Sequence, residues 1–259
     1  MSAPQTPWPY PRWIAHRGAG RLAPENTLAA FRLGARHGYR MLECDVRLSA
    51  DGTPFLLHDD TLDRTTDGDG PAADQPWAEL ARLDAGGWHS PHFAAEPLPT
   101  LADLAAFSLA QPDGHWVNLE LKPSPGTAEL TGRTVARHAQ DLWNGRPGHT
   151  PLLTSFQPEA LAGALAAAPA LPRGLLVDRL ADAPDADRSW LDTAARLDCC
   201  AVVLQHRLWN ADRVTLARQA GLRCLTYTVN EEDEARRLLT LGLDGLITDR
   251  VDRFDPRTG

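Results

Sequence analysis

Three carboxylates lie in two apolar, strand-like stretches of the sequence. Glu43 and Asp45 are two residues apart within residues 40–48, and Glu120 lies within residues 116–121. Because side chains alternate along a strand, Glu43 and Asp45 are expected on one face, about 6–7 Å apart. Carboxylates on neighbouring strands repel one another unless a cation lies among them. Hard oxygen ligands without cysteine predict Mg²⁺ or Ca²⁺ rather than zinc.

Two cations near these acids provide an alternative that needs no metal. Lys122 follows Glu120 by two residues, and Arg17 closes the first apolar stretch of the chain. Either cation could neutralise carboxylates in a salt-bridge cluster. Both are also natural phosphate-binding groups, Arg17 through the forked donors of its guanidinium and Lys122 as a point charge. The complete set of acids and cations favours the metal.

Two histidines, His16 and His58, follow strand-like stretches in the first half of the chain. The ordinary pKa of histidine lies near 6.5. A pair can therefore hold one proton donor and one acceptor at neutral pH, as general acid–base catalysis requires. The remaining histidines are expected to be structural or surface residues, with His206 the least certain of them.

Length and charge narrow the class of protein. The chain has 259 residues, 43% of them hydrophobic, which suffices for one barrel or one doubly wound sheet. A net charge of -8 argues against a nucleic-acid-binding surface. The Pro-rich start lacks the apolar core of a signal peptide, and no apolar run has the length of a membrane span. A cytoplasmic protein without membrane insertion is expected, and nothing in the sequence sets its oligomeric state.

Apolar periodicity predicts short strands alternating with helices along most of the chain. The eight predicted core strands are residues 13–15, 40–48, 116–121, 151–155, 173–177, 200–204, 223–229 and 245–248. The predicted helices are residues 26–37, 101–109, 127–142, 158–168, 189–197, 211–220 and 231–241. This count predicts a TIM (β/α)₈ barrel, with an open doubly wound sheet as the alternative. Residues 53–58 are predicted to form a hairpin arm with the second strand. The irregular stretch from 59 to about 99 is too long for an ordinary loop and predicts a functional loop or a small subdomain.

The ordered motifs of the chain resemble those of the glycerophosphodiester phosphodiesterase family, in its bacterial cytoplasmic type. They are His16-Arg17-Gly18, Pro24-Glu25-Asn26-Thr27, Glu43-x-Asp45, His58-Asp59, Glu120-x-Lys122, Tyr227-Thr228-Val229-Asn230 and Asp244-Gly245-Leu246-Ile247-Thr248-Asp249. The resemblance spans about residues 13–250. It implies a single barrel domain over residues 1–259, with a small insertion after the second strand at about residues 51–99.

The resemblance also implies roles for individual residues. Glu43, Asp45 and Glu120 resemble the ligands of one divalent cation, Mg²⁺ or Ca²⁺. His16 and His58 resemble the catalytic acid–base pair. The positions that resemble substrate- and phosphate-binding residues are Arg17, Lys122, Glu25, Phe156 and Tyr227. Tyr227 departs from the family pattern, because many members carry Trp there.

The reaction implied by the resemblance is hydrolysis of a small glycerophosphodiester to sn-glycerol 3-phosphate and an alcohol. Whether water or the glycerol 2-hydroxyl attacks stays open, and so does which histidine is the acid. The alternative enzyme is phospholipase D-like and acts on lysophospholipids, with Trp77, Trp88 and Phe93 as a candidate apolar mouth. A non-catalytic binding module is the third possibility, and it would be expected to lack a metal ligand or a histidine.

Overall fold

The structure, a computed structural model, describes residues 8–110, 113–180 and 186–257. The strands in these ranges are β1 Trp13–Ala15, β2 Met41–Leu48, β3 Pro54–Leu56, β4 Trp116–Leu121, β5 Leu152–Ser155, β6 Arg173–Val177, β7 Ala201–Gln205, β8 Arg223–Tyr227 and β9 Gly245–Thr248. The α-helices are α1 Leu28–Arg36, α2 Trp77–Leu80, α3 Leu101–Leu109, α4 Ala128–Leu142, α5 Pro158–Ala167, α6 Ala186–Arg196, α7 Ala211–Gln219 and α8 Glu232–Thr240.

Eight of the described strands close into a parallel barrel. The order is β1-β9-β8-β7-β6-β5-β4-β2, and pairing of β1 with β2 completes the ring. The remaining strand, β3, runs antiparallel to the end of β2 outside the ring. The predicted TIM barrel is confirmed, and the open-sheet alternative is wrong because an open sheet leaves its edge strands unpaired.

The alternation of side chains along β2 divides the barrel wall into two faces. The residues that pack in the outer cluster between strands and helices are Leu42, Cys44 and Val46. Met41, Glu43 and Asp45 therefore face inward. Met41 joins an apolar cluster with Ile14 and Leu225 that fills the interior. One inward row of side chains thus begins in the packed core and includes two carboxylates at the C-terminal mouth of the barrel.

Local chemistry sets the boundaries of the first helix. The predicted helix at 26–37 begins at Leu28, because the Thr27 side chain accepts a hydrogen bond from the Ala30 amide and caps it. Asn26 has a φ of 59°, which a helix does not allow. Residues Pro24 to Thr27 therefore form a turn, and this turn directs the Asn26 side chain toward β2.

The stretch predicted as irregular contains short pieces of helix. Besides α2 it holds single 3₁₀ turns at Ala72–Asp74 and Pro91–Phe93. These pieces are too short to produce an apolar period in the sequence. The helix α2 and the turn at Ala72–Asp74 pack around a separate apolar cluster, made of Phe55, Leu57, Leu62, Ala72, Leu80, Ala85 and Leu98. No described helix combines the length and apolar character needed to cross a membrane.

The close approach of α4 and α5 depends on two glycines. A Cβ atom added at Gly132 would overlap the carbonyl oxygen of Ala160 on α5. A Cβ atom added at Gly163 would overlap the carbonyl oxygen of Glu129 on α4. Since both obstacles are backbone atoms, a rotamer change cannot relieve either overlap.

Gly132→Ala is therefore expected to destabilise the protein, by about 1–3 kcal/mol, through overpacking. This loss outweighs the roughly 1 kcal/mol that alanine gains in helix propensity. Thermal or urea unfolding measures the difference. Gly148→Ala is the control, because an added Cβ meets nothing within 4 Å there. A Gly132→Ala protein as stable as the wild type would contradict the packing described for α4 and α5.

Candidate active site

The three predicted ligand carboxylates converge at the C-terminal mouth of the barrel. Glu43, Asp45 and Glu120 each offer an oxygen within 4.8 Å of the others. The register between β2 and β4 places Asp45 directly beside Glu120. β2 continues beyond these acids to Leu48 because β3 pairs with that end. Glu43 and Asp45 therefore lie within β2 and Glu120 within β4, in the stretch where these two strands pair.

The charges in this carboxylate cluster are incompletely neutralised. Burial, together with the charge of Asp45, raises the pKa of Glu43 to about 8 and that of Glu120 to about 7. Burial acts on Asp45 in the same direction, but Arg17, His58 and Lys122 lower the pKa of Asp45 overall. Without a further cation, two of the three acids thus compete for protons near neutral pH.

Two carboxylate oxygens in the cluster fit a bound cation. Glu43 Oε1 and Glu120 Oε1 are buried, and neither accepts a hydrogen bond from the described part of the chain. Lys122 Nζ lies 3.2 Å from Glu120 Oε1 and forms an ion pair with it. An oxygen-only donor set in which Glu43 Oε1 has no partner among the described residues suits Mg²⁺ or Ca²⁺. The residues present therefore fit one divalent metal ion.

Asn26 fixes Asp45 in this cluster. Its Nδ2 donates to Asp45 Oδ2 at 2.8 Å, and its Oδ1 accepts from the Asp45 amide at 3.0 Å. Beside it, the amide of Arg17 donates to Glu43 Oε2 at 2.9 Å. The sequence analysis placed Asn26 at the start of a predicted helix and assigned it no role, because a contact across 19 residues leaves no local pattern.

His16 lies between two carboxylates. Its Nδ1 is 2.6 Å from Asp249 Oδ1, and its Nε2 is 3.9 Å from Glu43 Oε2. Asp249 also accepts a hydrogen bond from Asn230 Nδ2 at 2.9 Å. Burial alone would lower the pKa of His16, but Asp249 and Glu43 raise it overall. Asp249 and Asn230 appear in the family motifs, although sequence reasoning gave neither a function.

His58 has a different set of partners. Its Nδ1 is 2.7 Å from Asp59 Oδ1, and its Nε2 is 3.2 Å from Lys122 Nζ. An ammonium group can only donate, so Nε2 accepts and Nδ1–H donates to Asp59. Burial lowers the pKa of His58, and the charges of Arg17 and Lys122 lower it further. The imidazole of His58 is therefore neutral at neutral pH.

Arg17 and Glu25 form an ion pair beside the carboxylate cluster. Arg17 Nη1 donates to Glu25 Oε1 at 2.7 Å, and Arg17 Nε lies 3.3 Å from Asp45 Oδ2. The guanidinium of Arg17 thus connects the first loop to the cluster. Glu25 also accepts hydrogen bonds from Arg64, a residue that the sequence analysis did not single out.

Aromatic side chains and two cavities border the carboxylate cluster. Phe156 and Tyr227 pack edge to face at 5.6 Å, and Phe156 is 37% exposed rather than part of the core. One cavity of about 430 Å³ reaches His16 and includes Arg64 and Trp88 among its lining residues. A second, of about 160 Å³, is lined by residues that include Glu120, Lys122 and Phe156. Substrate therefore has room on both sides of the cluster.

Known proteins are similar to this chain in both sequence and fold. The model of the Glycerophosphoryl diester phosphodiesterase family matches residues 16–253. A glycerophosphodiester phosphodiesterase of Caldanaerobacter subterraneus is 30% identical over 249 residues, covering 95% of this chain and 94% of its own. A phosphodiesterase of Oleispira antarctica, solved in complex with the product sn-glycerol-3-phosphate, is 35% identical with a TM-score of 0.84. That similarity covers 96% of this chain and 95% of the other.

A TIM barrel with this sequence similarity is a phosphoric diester hydrolase, so the binding-module alternative is wrong. Because the family match covers nearly all of the chain, the protein belongs to the Glycerophosphoryl diester phosphodiesterase family. The resemblance noted in the sequence is confirmed, and the activity is that of a glycerophosphodiester phosphodiesterase.

Asn26→Ala is expected to destabilise the protein by about 1–3 kcal/mol, because it leaves buried polar groups of Asp45 without partners. Alanine also tolerates the positive φ at this position poorly. Asn26→Gly keeps the backbone conformation and removes only the hydrogen bonds, so its loss is expected to be smaller. Unfolding of both variants in urea measures the two contributions. An Asn26→Ala protein as stable as the wild type would show that this pair does not hold the loop.

Proposed function

We propose that this protein hydrolyses water-soluble glycerophosphodiesters to sn-glycerol 3-phosphate and an alcohol, with metal dependence and histidine acid–base catalysis. The main support is one observation. Three carboxylates and two differently hydrogen-bonded histidines lie together at one barrel mouth. The product bound by the Oleispira antarctica relative is consistent with this substrate class.

The proposed metal ligands are Glu43, Asp45 and Glu120, which would hold one Mg²⁺ or Ca²⁺ ion. When bound, the ion supplies Lewis-acid stabilisation of the charge on the phosphate oxygens. Arg17 and Lys122 provide cationic donors to the same phosphate. The proposed supporting residues are Glu25, which orients Arg17, and Phe156 and Tyr227, which form the wall of the substrate pocket.

His58 is proposed as the general base. Its Nε2 presents a lone pair toward the carboxylate cluster, while Nδ1–H is held by Asp59. This lone pair can take the proton of the attacking hydroxyl once Lys122 turns to the phosphate. The hydroxyl belongs either to water or to the 2-position of the substrate's glycerol, and the proposed role of His58 is the same for both nucleophiles.

His16 is proposed as the general acid. Asp249 holds its Nδ1, and Glu43 lies near its Nε2, so the two carboxylates favour the imidazolium. The proton on Nε2 can then pass to the departing alkoxide. The two histidines thus differ in charge because their neighbours differ, which separates the acid from the base.

The surface of the insertion favours a water-soluble diester over a lysophospholipid. Trp88 is 41% exposed, but the other two candidate mouth residues are partly covered. Trp77 packs against Phe55, and Phe93 packs against the main core. A bilayer- or micelle-binding mouth requires a larger continuous apolar patch. Phospholipase D-like activity is therefore the second candidate.

The insertion is proposed to belong to the same domain as the barrel, over residues 1–259. The Leu56 amide donates to the Pro99 carbonyl at 3.0 Å, so both ends of the insertion, proposed at about residues 51–99, meet at β3. A cytoplasmic location stays a prediction from the sequence.

The two histidine roles predict opposite responses to the leaving group. His16→Ala and His58→Ala are each expected to lower kcat for glycerophosphocholine by about 10²–10⁴-fold. With glycerophospho-p-nitrophenol, whose leaving group needs no protonation, His16→Ala is expected to recover most of its rate. His58→Ala is expected to remain slow, because the nucleophile still needs a base.

Steady-state kinetics with saturating Mg²⁺ or Ca²⁺ measure both variants. His206→Ala is the control, because the contacts of its imidazole run to Glu234 instead. Equal recovery of both variants with the activated diester would contradict the assignment. A wild-type protein inactive on both diesters would contradict the proposed substrate class.

A further inference from the structure

Arg64, in the insertion, joins two sides of the site. Its Nη1 and Nη2 donate to the two oxygens of Glu25, each at 2.8 Å. Its Nε donates to Asp59 Oδ2 at 2.6 Å, and Nη2 also donates to Asp59 Oδ1 at 3.0 Å. One guanidinium thus forms paired hydrogen bonds with two carboxylates. Such bidentate pairs fix direction as well as distance.

Each of these carboxylates holds a different proposed functional group. Glu25 accepts from Arg17, which lies beside Asp45. Asp59 accepts from Nδ1 of His58, on the side of Lys122. Arg64 therefore connects the phosphate-binding arginine and the proposed base through one carboxylate each, without contacting the metal ligands itself.

We propose that Arg64 is a positioning residue that sets the geometry of Arg17 and His58 relative to each other. The proposal rests on the function proposed above. Without Arg64, Glu25 would keep only its contact with Arg17 and Asp59 only its contact with His58, so neither carboxylate would be held in a fixed direction. Arg17 and His58 would then lose their fixed directions while all metal ligands stayed in place.

A comparison within the same segment separates positioning from simple surface stabilisation. Arg82 pairs with Glu79 three residues away, and both side chains are largely exposed. Such pairs contribute little to stability or function. Arg64 instead contacts Glu25, 39 residues away in the sequence. Its two carboxylate partners in turn contact Arg17 and His58, which belong to the site. Its contacts are arranged around the site rather than along the surface.

The location of Arg64 makes the proposal accessible to chemical rescue. Its side chain is 45% exposed and lines the cavity of about 430 Å³ that reaches His16. A guanidinium ion from solution can therefore reach the space left by Arg64→Ala and bind between the same two carboxylates. The planar donor geometry of Arg would be restored without the covalent link.

The expected result for Arg64→Ala is a fall in kcat of about 10–100-fold on glycerophosphocholine, because misdirected groups slow the reaction. KM is expected to change less than kcat. Guanidinium chloride, at concentrations too low to unfold the protein, is expected to restore several-fold activity, while tetramethylammonium chloride is not. Arg64→Lys keeps the charge but not the fork, and is expected to be intermediate.

Arg237→Ala is the matched control. Arg237 donates to Glu234, which holds Nδ1 of His206 at 2.7 Å, so it repeats the arginine–carboxylate–histidine chain of Arg64, Asp59 and His58 away from the carboxylate cluster. This variant is expected to keep wild-type kcat. A kcat for Arg64→Ala within about twofold of wild type would overturn the proposal. So would a lower kcat that guanidinium does not restore.

The ring nitrogens of His58 report on the effect of Arg64 without any measurement of catalysis. In ¹H–¹⁵N spectra, Arg64→Ala is expected to shift the ring nitrogens of His58 and to leave those of His206 unchanged. Unshifted His58 nitrogens would overturn the proposal. If the wild type fails to hydrolyse glycerophosphocholine, the proposed function fails, and these spectra still decide whether Arg64 positions His58.

Discussion

The repulsion among three carboxylates at the barrel mouth is the constraint on which the rest of the site depends. Their oxygens lie within 4.8 Å of one another in surroundings from which water is largely excluded. Arg17 and Lys122 each offset part of this charge and Asn26 donates a hydrogen bond to Asp45, yet Glu43 Oε1 keeps no hydrogen-bond partner among the described residues. A divalent cation bound there, as proposed, would complete the balance, and the different surroundings of the two histidines follow from the same distribution of charge.

The barrel makes such a charged cluster stable by separating it from the packed interior. Met41 and Glu43 share the inward face of β2, but Met41 lies in the apolar interior while Glu43 lies at the mouth. The backbone of β2 pairs with β1 at Met41 and Leu42 and with β4 from Met41 to Val46, so a rigid frame holds the carboxylates. The insertion then contributes groups that the barrel lacks, among them Asp59 and Arg64. The barrel strands hold the three carboxylates, and the insertion contacts Glu25 and His58 beside them.

The sequence predicted the barrel and the convergence of Glu43, Asp45 and Glu120, because both follow from short periods along the chain. Because Glu43 and Asp45 are two residues apart on one strand, their side chains lie on the same face of the sheet. Contacts between distant residues were missed, as with His16 and Asp249, which are 233 residues apart. Arg64 was missed for the same reason, since its role appears only when Glu25 and Asp59 are seen together. Residue types predict which groups are present, whereas their hydrogen bonds determine which protonation state each adopts.

Calorimetric titration of protein freed of metal by a chelator tests whether Glu43, Asp45 and Glu120 form one divalent-cation site. Mg²⁺ or Ca²⁺ is expected to bind at one ion per chain. Because the raised pKa values of Glu43 and Glu120 mean that protons must leave, binding is expected to tighten between about pH 6 and about pH 9. Glu43→Gln is expected to weaken it strongly. If the wild type shows no saturable binding, or if Glu43→Gln binds the ion equally well, these three carboxylates do not form a divalent-cation site.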